Sequence, residues 1–449
     1  MKKKILILFI LFCNALIAKS GKVNLSGKVE NKTLETIRIS YLNHLELVSS
    51  KLDGNGKFEM KTNLESGFYS LEYGRNTAYI FLNPKDKIYF SFDANNFTNT
   101  LVFKGTGSIR NNYLVKKSIE EDKLTEDLDY FYRVDEEQYL KNLEKVKKSH
   151  LNLLTKYNVE SFFKKAEVKS LEYERLLYIK NFKSNYKFYL GEEISVSKDF
   201  TKPIETINLK NEKDYKTQPF YRYLVNSHWN KKMDKANNVD EMLSIIRKTP
   251  SRDIAINLIE SCFSKISSDK EKGEIYLNFI KKVTDHKPYI EAAEKKYKES
   301  KESEKNVKGE ISPEFSYENI EGKLISLSDF KGKYIYIDVW ATWCAPCVKQ
   351  IPYLKKLEEH FKNKDIVFIS ISVDKKKMKK NWKNYVQKKQ LGGVQLFADN
   401  SFDSDFMNAY DVSSIPRFIL IDIEGNIIDA KAPRPSFQKT KNLLDELLK

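Results

Sequence analysis

A pair of cysteines that directly follows a hydrophobic run constrains this chain more than any other feature. Residues 343–347 read Trp-Cys-Ala-Pro-Cys, the apolar run 334–340 precedes them, and helix-type spacing starts at Ile351. Two cysteines separated by two residues can close a small disulfide ring across the first turn of a helix. A helix N-terminus favours a thiolate through its dipole and its free N–H groups, which lowers the pKa expected for Cys344. The sequence therefore predicts a redox-active pair in which Cys344 attacks and the more buried Cys347 resolves the mixed disulfide.

Two other interpretations of the cysteine pair are less consistent with the sequence. A zinc site would need further ligands, but there is no second cysteine pair, and His360 comes late in the following helical stretch. A purely structural disulfide would close so small a loop that it would save little chain entropy. We therefore expect no metal at this pair.

Strand and helix patterns alternate through residues 310–449. Strand patterns occupy 334–340, 366–373, 415–423 and a short stretch at 427–428. Helix patterns occupy 351–361, 378–389, 402–410 and 437–448. Helices between strands, with a final hairpin, predict an α/β domain whose mixed sheet is covered on both faces.

These residues resemble the thioredoxin-fold module of the TlpA/ResA-like thiol–disulfide oxidoreductases. Segment 338–347 corresponds to the family's strand and active site, Ile415-Pro416 to the residue and cis-proline that face it, and 422–426 to the hairpin that follows. The resemblance implies that Asp338 is the buried acid beneath the dithiol, and that the enzyme needs no cofactor. It also implies a set of substrate-facing residues: Trp343, Ala345, Pro346, Ile415 and Pro416.

The environment of Asp338 is itself informative. A carboxylate inside the apolar run 335–339 resists ionisation, so Asp338 can hold or relay a proton for Cys347 near neutral pH. The sequence departs from many relatives three residues after the second cysteine, where they have an acid and this chain has Gln350. The resemblance therefore does not extend a proton-handling role to that position.

The resemblance also suggests the direction of electron flow. Ala-Pro between the cysteines and Ile415 before the cis-proline resemble reductants, whereas oxidants usually have a histidine where this chain has Pro346. The resemblance implies reduction of disulfides in envelope proteins, re-reduction by a membrane electron donor, and a role in cytochrome c maturation. Isomerase or oxidant activity is the first alternative.

Two further alternatives belong to other functional classes. Peroxidases on the same fold use a Pro-x-x-x-Thr-x-x-Cys motif, but around Thr342 the matching positions hold Asp338 and Ala345. The other is a ligand-binding envelope protein in which the dithiol is an accessory.

Residues 1–20 have the three-part layout of a secretory signal peptide. Lysines at 2–4 precede the apolar run 5–12, and small residues at Ala18 and Ser20 suit cleavage after either position. We expect export to the periplasm or cell envelope, with an uncleaved anchor as the alternative. Lipid attachment at Cys13 is less consistent with the sequence, because the bulky Phe12 precedes it.

Residues 22–108 show the alternation of short β-strands. The turn sequences 53–56 and 83–86 each lie between apolar runs, and we expect each to close a hairpin. The pattern predicts an all-β sandwich or barrel. It resembles the β-rich domain that precedes thioredoxin modules in envelope proteins of certain Gram-negative bacteria.

Residues 110–305 form a third region, in which Lys, Glu, Leu and Tyr recur at helical spacing. We predict an all-α domain that ends in the charged stretch 295–308. Its aromatic residues could stack on single-stranded nucleic acid, but an aromatic-rich helical core explains them better. Cys262, on an apolar helix face, is expected to be a buried structural residue.

The chain is basic, with 78 Lys+Arg against 62 Asp+Glu and a net charge of +16. Eight lysines between Lys375 and Lys389 form its densest basic patch, on a predicted helix with Trp382 and Val386 on the inner side. A solvated helix face is the first interpretation of this patch, and peripheral contact with anionic lipid or an acidic partner is the second. Because the positive charge is spread along the chain, we predict no nucleic-acid partner.

Overall fold

The computed structural model describes residues 20–43, 45–74, 76–269, 271–302 and 308–449. The predicted signal peptide up to residue 19, with Cys13, therefore lies outside the described residues, and so does the predicted boundary near 305. Within these ranges, no helix combines the length and the apolar character that a membrane span requires.

The N-terminal region is a sandwich of two sheets. Its strands are β1 (Gly21–Glu30), β2 (Thr36–Ser40), β3 (Glu46–Lys51), β4 (Lys57–Leu64), β5 (Gly67–Tyr73), β6 (Asn76–Leu82), β7 (Lys87–Asp93) and β8 (Val102–Gly105), with a short helix α1 (Phe97–Thr100) between the last two. The described strands pair in the orders β4-β1-β7-β8 and β3-β2-β5-β6. Alternate residues such as Leu25 and Ile39 face one shared core, which confirms the predicted all-β fold.

Both predicted turns exist, but the predicted hairpins are wrong. The Asp53 carboxylate accepts hydrogen bonds from the N–H groups of Asn55 and Lys57, and Gly56 has a φ of +77°. This turn joins β3 to β4, which belong to opposite sheets, and the turn at 83–86 likewise joins β6 to β7. Turn residues specify a chain reversal, whereas the buried faces decide which strands pair, so both turns cross between the sheets.

The region that follows is helical, as predicted. Its helices are α2 (Ser108–Leu124), α3 (Leu128–Phe131), α4 (Glu136–Lys156), α5 (Ser161–Leu190), α6 (Lys198–Glu205), α7 (Glu212–Thr217), α8 (Pro219–Lys235), α9 (Val239–Arg247), α10 (Arg252–Ser268), α11 (Gly273–Val283) and α12 (Lys287–Glu302). Cys262 lies in the core around α10 and is 1% exposed. Burial raises the pKa of its thiol to about 12, so it is inert at neutral pH.

The described chain divides by compactness into two units, and each includes helices of this region. The N-terminal unit comprises residues 20–122, 140–181 and 197–302. The dithiol unit comprises residues 123–139, 182–196 and 308–449.

The C-terminal part of the dithiol unit has the thioredoxin fold. Its strands are β9 (Ser316–Asn319), β10 (Leu324–Ser326), β11 (Tyr334–Trp340), β12 (Ile366–Ser372), β13 (Val394–Phe397), β14 (Arg417–Ile421) and β15 (Ile427–Asp429). Its helices are α13 (Ala345–Val348), α14 (Ile351–His360), α15 (Lys379–Lys389), α16 (Asp405–Ala409) and α17 (Gln438–Leu447).

These strands form one mixed sheet in the order β10-β9-β13-β12-β11-β14-β15. Helices α14 and α17 pack on one face through Leu354 and Leu444. Helices α15 and α16 pack on the other face through Trp382 and Phe406. Strand β11 is parallel to β12 and antiparallel to β14, so it lies inside the sheet with both edges hydrogen-bonded.

The two helical segments of the dithiol unit pack against its α/β part. The Ser436 hydroxyl donates a hydrogen bond to the carbonyl of Tyr189, and the Arg434 guanidinium lies 3.5 Å from the centre of the Phe188 ring. Gly191 has a φ of +75°, and a Cβ there would collide with the ring of Phe437. These contacts join segment 182–196 to the α/β part in one compact body.

Gly27 on β1 provides a test of the sandwich. A Cβ at this position would overlap the Phe90 carbonyl oxygen and the Phe58 ring, so the strand must shift in the Gly27→Ala protein. We expect the free energy of unfolding of the N-terminal unit to fall by about 2–3 kcal/mol in urea titrations followed by circular dichroism. Gly54→Ala is the control, because a Cβ at Gly54 meets no atom within 4 Å. Equal stability of the two variants would contradict the placement of Gly27.

Candidate active site

The cysteine pair lies where the central strand turns into a helix. Strand β11 ends at Trp340, and Cys344 is the N-cap residue of α13. Cys344 and Cys347 form a disulfide, and the backbone N–H of Cys347 donates a hydrogen bond to the Cys344 sulfur at 3.2 Å. The helix N-terminus therefore directs a backbone donor at the first sulfur, as expected for a site that stabilises a thiolate there.

Both sulfurs are largely enclosed, and one aromatic side chain beside them reaches solvent. Cys344 is 3% exposed and Cys347 is 1% exposed, and both belong to the core cluster on one face of the sheet. Trp343 is 37% exposed, with its ring centre 6.5 Å from that of Phe402.

The predicted substrate-facing residues lie on two segments. Ala345 and Pro346 open helix α13 between the cysteines. The peptide bond between Ile415 and Pro416 is cis, and the partly buried Ile415 packs against the cluster that contains the sulfurs. Their role toward a substrate stays a prediction.

Asp338 lies on β11, where it pairs with Ser370 of β12 on one side and with Phe418 of β14 on the other. The side chain is 5% exposed, and its Oδ1 atom has no hydrogen-bond partner among the described residues. Burial, assisted by the nearby charge of Glu358, raises the pKa of Asp338 to about 8. The carboxyl is therefore mostly protonated near neutral pH.

A second acid accompanies Asp338. Glu358 of α14 lines the same small cavity of about 10 Å³ as Asp338, and Lys355 lies at its side. Burial raises the pKa of Glu358 to about 7, and the charge of Lys355 opposes this rise. Two carboxyl groups with pKa values near neutrality therefore line one cavity, where they can hold and exchange a proton.

Asp374 fixes the loop that precedes the cysteines. Its carboxylate accepts hydrogen bonds from the Thr342 backbone N–H at 2.9 Å and from the Thr342 hydroxyl at 2.8 Å. The Ser372 hydroxyl donates a third bond to it, at 2.8 Å. Burial raises the pKa of Asp374, while these hydrogen bonds oppose the rise. Asp374 therefore holds the chain two residues before Cys344.

Gln350, where relatives have an acid, is buried and structural in character. Its side-chain oxygen accepts a hydrogen bond from the Ser436 backbone N–H at 3.1 Å. The neighbouring Lys349 reaches the other way, donating to the Thr125 hydroxyl at 3.4 Å and lying over the ring of Tyr189. Lys349, two residues after the cysteine pair, thus links both helical segments to the α/β part of the dithiol unit.

Neither Asp374 nor Glu358 was singled out from the sequence. Asp374 directly follows a predicted strand. Polar residues at the carboxyl ends of adjacent parallel strands lie at the same edge of the sheet, so the position of Asp374 after its strand could have indicated its place near the cysteines. Glu358 has the sequence context of an ordinary polar position on an amphipathic helix. Within the described residues, no group of three or more His, Cys, Asp or Glu side chains is arranged to hold a metal ion.

Fold and site together define the class of protein: a thioredoxin-like domain with a cysteine pair at the N-terminus of a helix. The family model described as Redoxin matches residues 307–447. The thiol–disulfide oxidoreductase ResA of Bacillus cereus is 33% identical over 150 residues, which are 33% of this chain and 81% of that protein. ResA of Bacillus subtilis is 34% identical over 120 residues, which are 27% of this chain and 64% of that protein.

A solution structure assigned to a thiol–disulfide oxidoreductase from Bacteroides vulgatus is 54% identical in sequence. The match covers 30% of this chain and 86% of that one, with a TM-score of 0.28. From the ResA matches, the chain belongs, through its C-terminal domain, to the ResA-like thiol–disulfide oxidoreductases.

The raised pKa of Asp338 makes stability depend on pH. Unfolding returns this pKa from about 8 to 3.8, so in that interval the unfolded chain gives up a proton that the folded chain keeps. The free energy of unfolding consequently falls as pH rises through this window. The substitution Asp338→Asn removes the part of this pH dependence that Asp338 causes. We expect the loss between about pH 5 and pH 8, measured by urea denaturation, to shrink by about 2–4 kcal/mol. If Asp338→Asn leaves the same pH dependence as a variant of the exposed Asp365, Asp365→Asn, the raised pKa is wrong.

The hydrogen bonds between Asp374 and Thr342 predict that two variants lose different amounts of stability. Asp374→Ala leaves the N–H and hydroxyl of Thr342 without their acceptor, so we expect a loss of about 2–4 kcal/mol in unfolding free energy and slower disulfide reduction of insulin. Thr342→Val removes one of these bonds and should cost about 1 kcal/mol. Denaturation and turnover of both variants check this order, and an equal cost in the two would show that the backbone bond contributes nothing.

Proposed function

We propose that this chain is an exported oxidoreductase that reduces disulfides of envelope proteins through Cys344 and Cys347. The observation that carries the proposal is the disulfide at the N-terminus of α13, with Cys344 as N-cap and the Cys347 N–H directed at its sulfur. Kinship with the ResA oxidoreductases supports the same chemistry.

The reaction starts from the reduced pair. The Cys344 thiolate attacks one sulfur of the substrate disulfide, a new S–S bond forms, and the other substrate sulfur leaves as a thiolate that takes up a proton. The Cys347 thiol then loses its proton and attacks the Cys344 sulfur. The second substrate sulfur leaves and is protonated, two electrons have passed to the substrate, and the Cys344–Cys347 disulfide remains.

Asp338 is the proposed acceptor of the Cys347 proton. A thiol has a pKa near 8.5, and the pKa of Asp338 is raised to about 8, so the transfer is nearly balanced in energy. Glu358, on the wall of the same small cavity, can accept the proton next. The buried Cys262 takes no part, since its pKa is raised to about 12.

Three sequence features support reduction outside the cytosol. Pro346 and Ile415 match reducing relatives, and the signal-like segment 1–20 supports export to the periplasm or cell envelope. Each cycle leaves the pair oxidised, so a dithiol donor must reduce it again, and by resemblance this donor lies in the membrane. By resemblance, apoproteins of cytochrome c are the first substrate class to test.

Cysteine variants test the chemistry. The reduced wild-type protein should catalyse insulin reduction by dithiothreitol, and Cys344→Ser should lower that rate to the uncatalysed level. Cys262→Ser is the matched control, because that thiol is remote from the disulfide in sequence and buried, and it should keep wild-type activity. Equal activity of Cys344→Ser and the wild type would refute the proposal. Faster oxidation of reduced proteins than reduction of insulin would reverse the proposed direction.

Trapping identifies the substrate class. Cys347→Ser removes the resolving thiol, so a covalent complex through Cys344 should accumulate in cells and dissolve on addition of reductant. Recovery of cytochrome c apoprotein indicates a dedicated reductant, and recovery of many unrelated exported proteins indicates a general one. Complexes that persist in a Cys344→Ser, Cys347→Ser protein would contradict attack by Cys344.

A further inference from the structure

The N-terminal unit contains a cavity that the thiol chemistry does not use. Its volume is about 310 Å³, and β5, β6, α1, α2, α5 and α8 contribute to its wall. All of its lining residues belong to the N-terminal unit. Cavities of this size accept small organic ligands.

The charged groups of the wall include more acids than bases. In the described part of the chain, the lining has one cationic side chain, Lys117, and two acids, Glu121 and Glu174. Behind the wall, the Oε1 atom of Glu167 lies 3.0 Å from the Lys117 ammonium, whereas Glu174 lies 3.5 Å from it. Two carboxyl groups, Glu167 and Glu174, therefore face the one ammonium of the described lining.

The imidazole beside Glu174 adds no positive charge to this cluster. His150 lies 3.8 Å from Glu174, but burial lowers its pKa to about 3, so the imidazole is neutral. Burial raises the pKa of Glu174 well above its ordinary value, in spite of the nearby ammonium. An added cation would favour the ionised form of Glu174.

A buried hydroxyl in the wall points to a ligand independently of the acids. Ser170 lines the cavity and is 1% exposed, and its Oγ atom has no hydrogen-bond partner within the described ranges. Buried polar atoms nearly always have a partner, so an orphaned hydroxyl at a cavity wall indicates a place that a ligand atom can fill.

Aromatic rings form the other side of the cavity. Phe220 and Tyr223 of α8 face it together with Tyr79 of β6, and Leu101 and Leu114 add apolar surface. Phe220 already lies 5.3 Å from the Lys117 ammonium, so its ring accommodates a cation. Aromatic faces and carboxylates together select organic ammonium ions over neutral or anionic compounds.

We propose that this cavity binds a small organic ammonium ion with an apolar body. The ammonium group pairs with Glu174 and donates a hydrogen bond to the Ser170 hydroxyl. The apolar body lies against Phe220 and Tyr223. An anionic ligand is disfavoured, because Glu167 and Glu174 already face Lys117, the one cation of the described lining.

Three compounds of similar size test the charge selection: phenethylammonium, 2-phenylethanol and 3-phenylpropanoate. Calorimetric titration of the full-length protein should show phenethylammonium binding at least about tenfold more tightly than 2-phenylethanol, with 3-phenylpropanoate weakest. Equal binding of all three, stronger binding of the anion, or no binding would each overturn the proposal. This comparison uses the wild-type protein and therefore does not depend on whether a variant folds.

Variants on one helix locate the binding site. Glu174→Gln keeps the shape of the side chain and should weaken phenethylammonium at least about tenfold, and Ser170→Leu should block it by filling the cavity. Glu172→Gln is the matched control, because Glu172 lies on the same helix but pairs with Arg175 and Lys147 away from the cavity. Unchanged affinity in both cavity variants, with folding confirmed by circular dichroism, would place the ligand elsewhere. Cys344→Ser should bind as the wild type does, so failure of the thiol chemistry and failure of this proposal are distinguishable.

Discussion

Strand β11 holds the cysteine pair at its end in a fixed position because the sheet encloses the strand, whose residues from Ile335 to Trp340 are all buried. Both edges of the strand are hydrogen-bonded, to β12 and to β14, and helices cover both faces. A carboxyl group on such a strand has no solvent to stabilise its charge, so Asp338 keeps its proton to about pH 8. The same enclosure fixes the loop before Cys344, since Asp374 at the end of β12 holds Thr342 with two hydrogen bonds.

Continuous patterns in the sequence were sufficient to predict most of the architecture. The apolar run 334–340 is strand β11 residue for residue, because a strand buried on both faces has no polar alternation to blur its limits. The short strands β9, β10 and β13 escaped prediction. Each has three or four residues, too few to establish a period, and each is ordered by the strands beside it.

Contacts between distant segments account for the parts that the sequence could not reveal. The turns at 53–56 and 83–86 were recognised, but pairing across the sandwich depends on side chains from both sheets. The burial of Glu358 depends on Gly392, where a Cβ would collide with the carboxylate. No pattern within α14 could reveal that neighbour. The cysteine pair and Asp338 could be predicted as site residues because neighbouring residues in the sequence were sufficient to identify them.

The division into two units affects how the redox domain can be handled. Segments 123–139 and 182–196 belong to the same compact body as the sheet, and Ser436, Arg434 and Lys349 attach to them. A single proteolytic cut near residue 305 would therefore not release an intact module. The fragment would lose aromatic partners such as Tyr189 and expose the surface that they cover. In this chain the redox domain therefore cannot be separated intact from the helical segments.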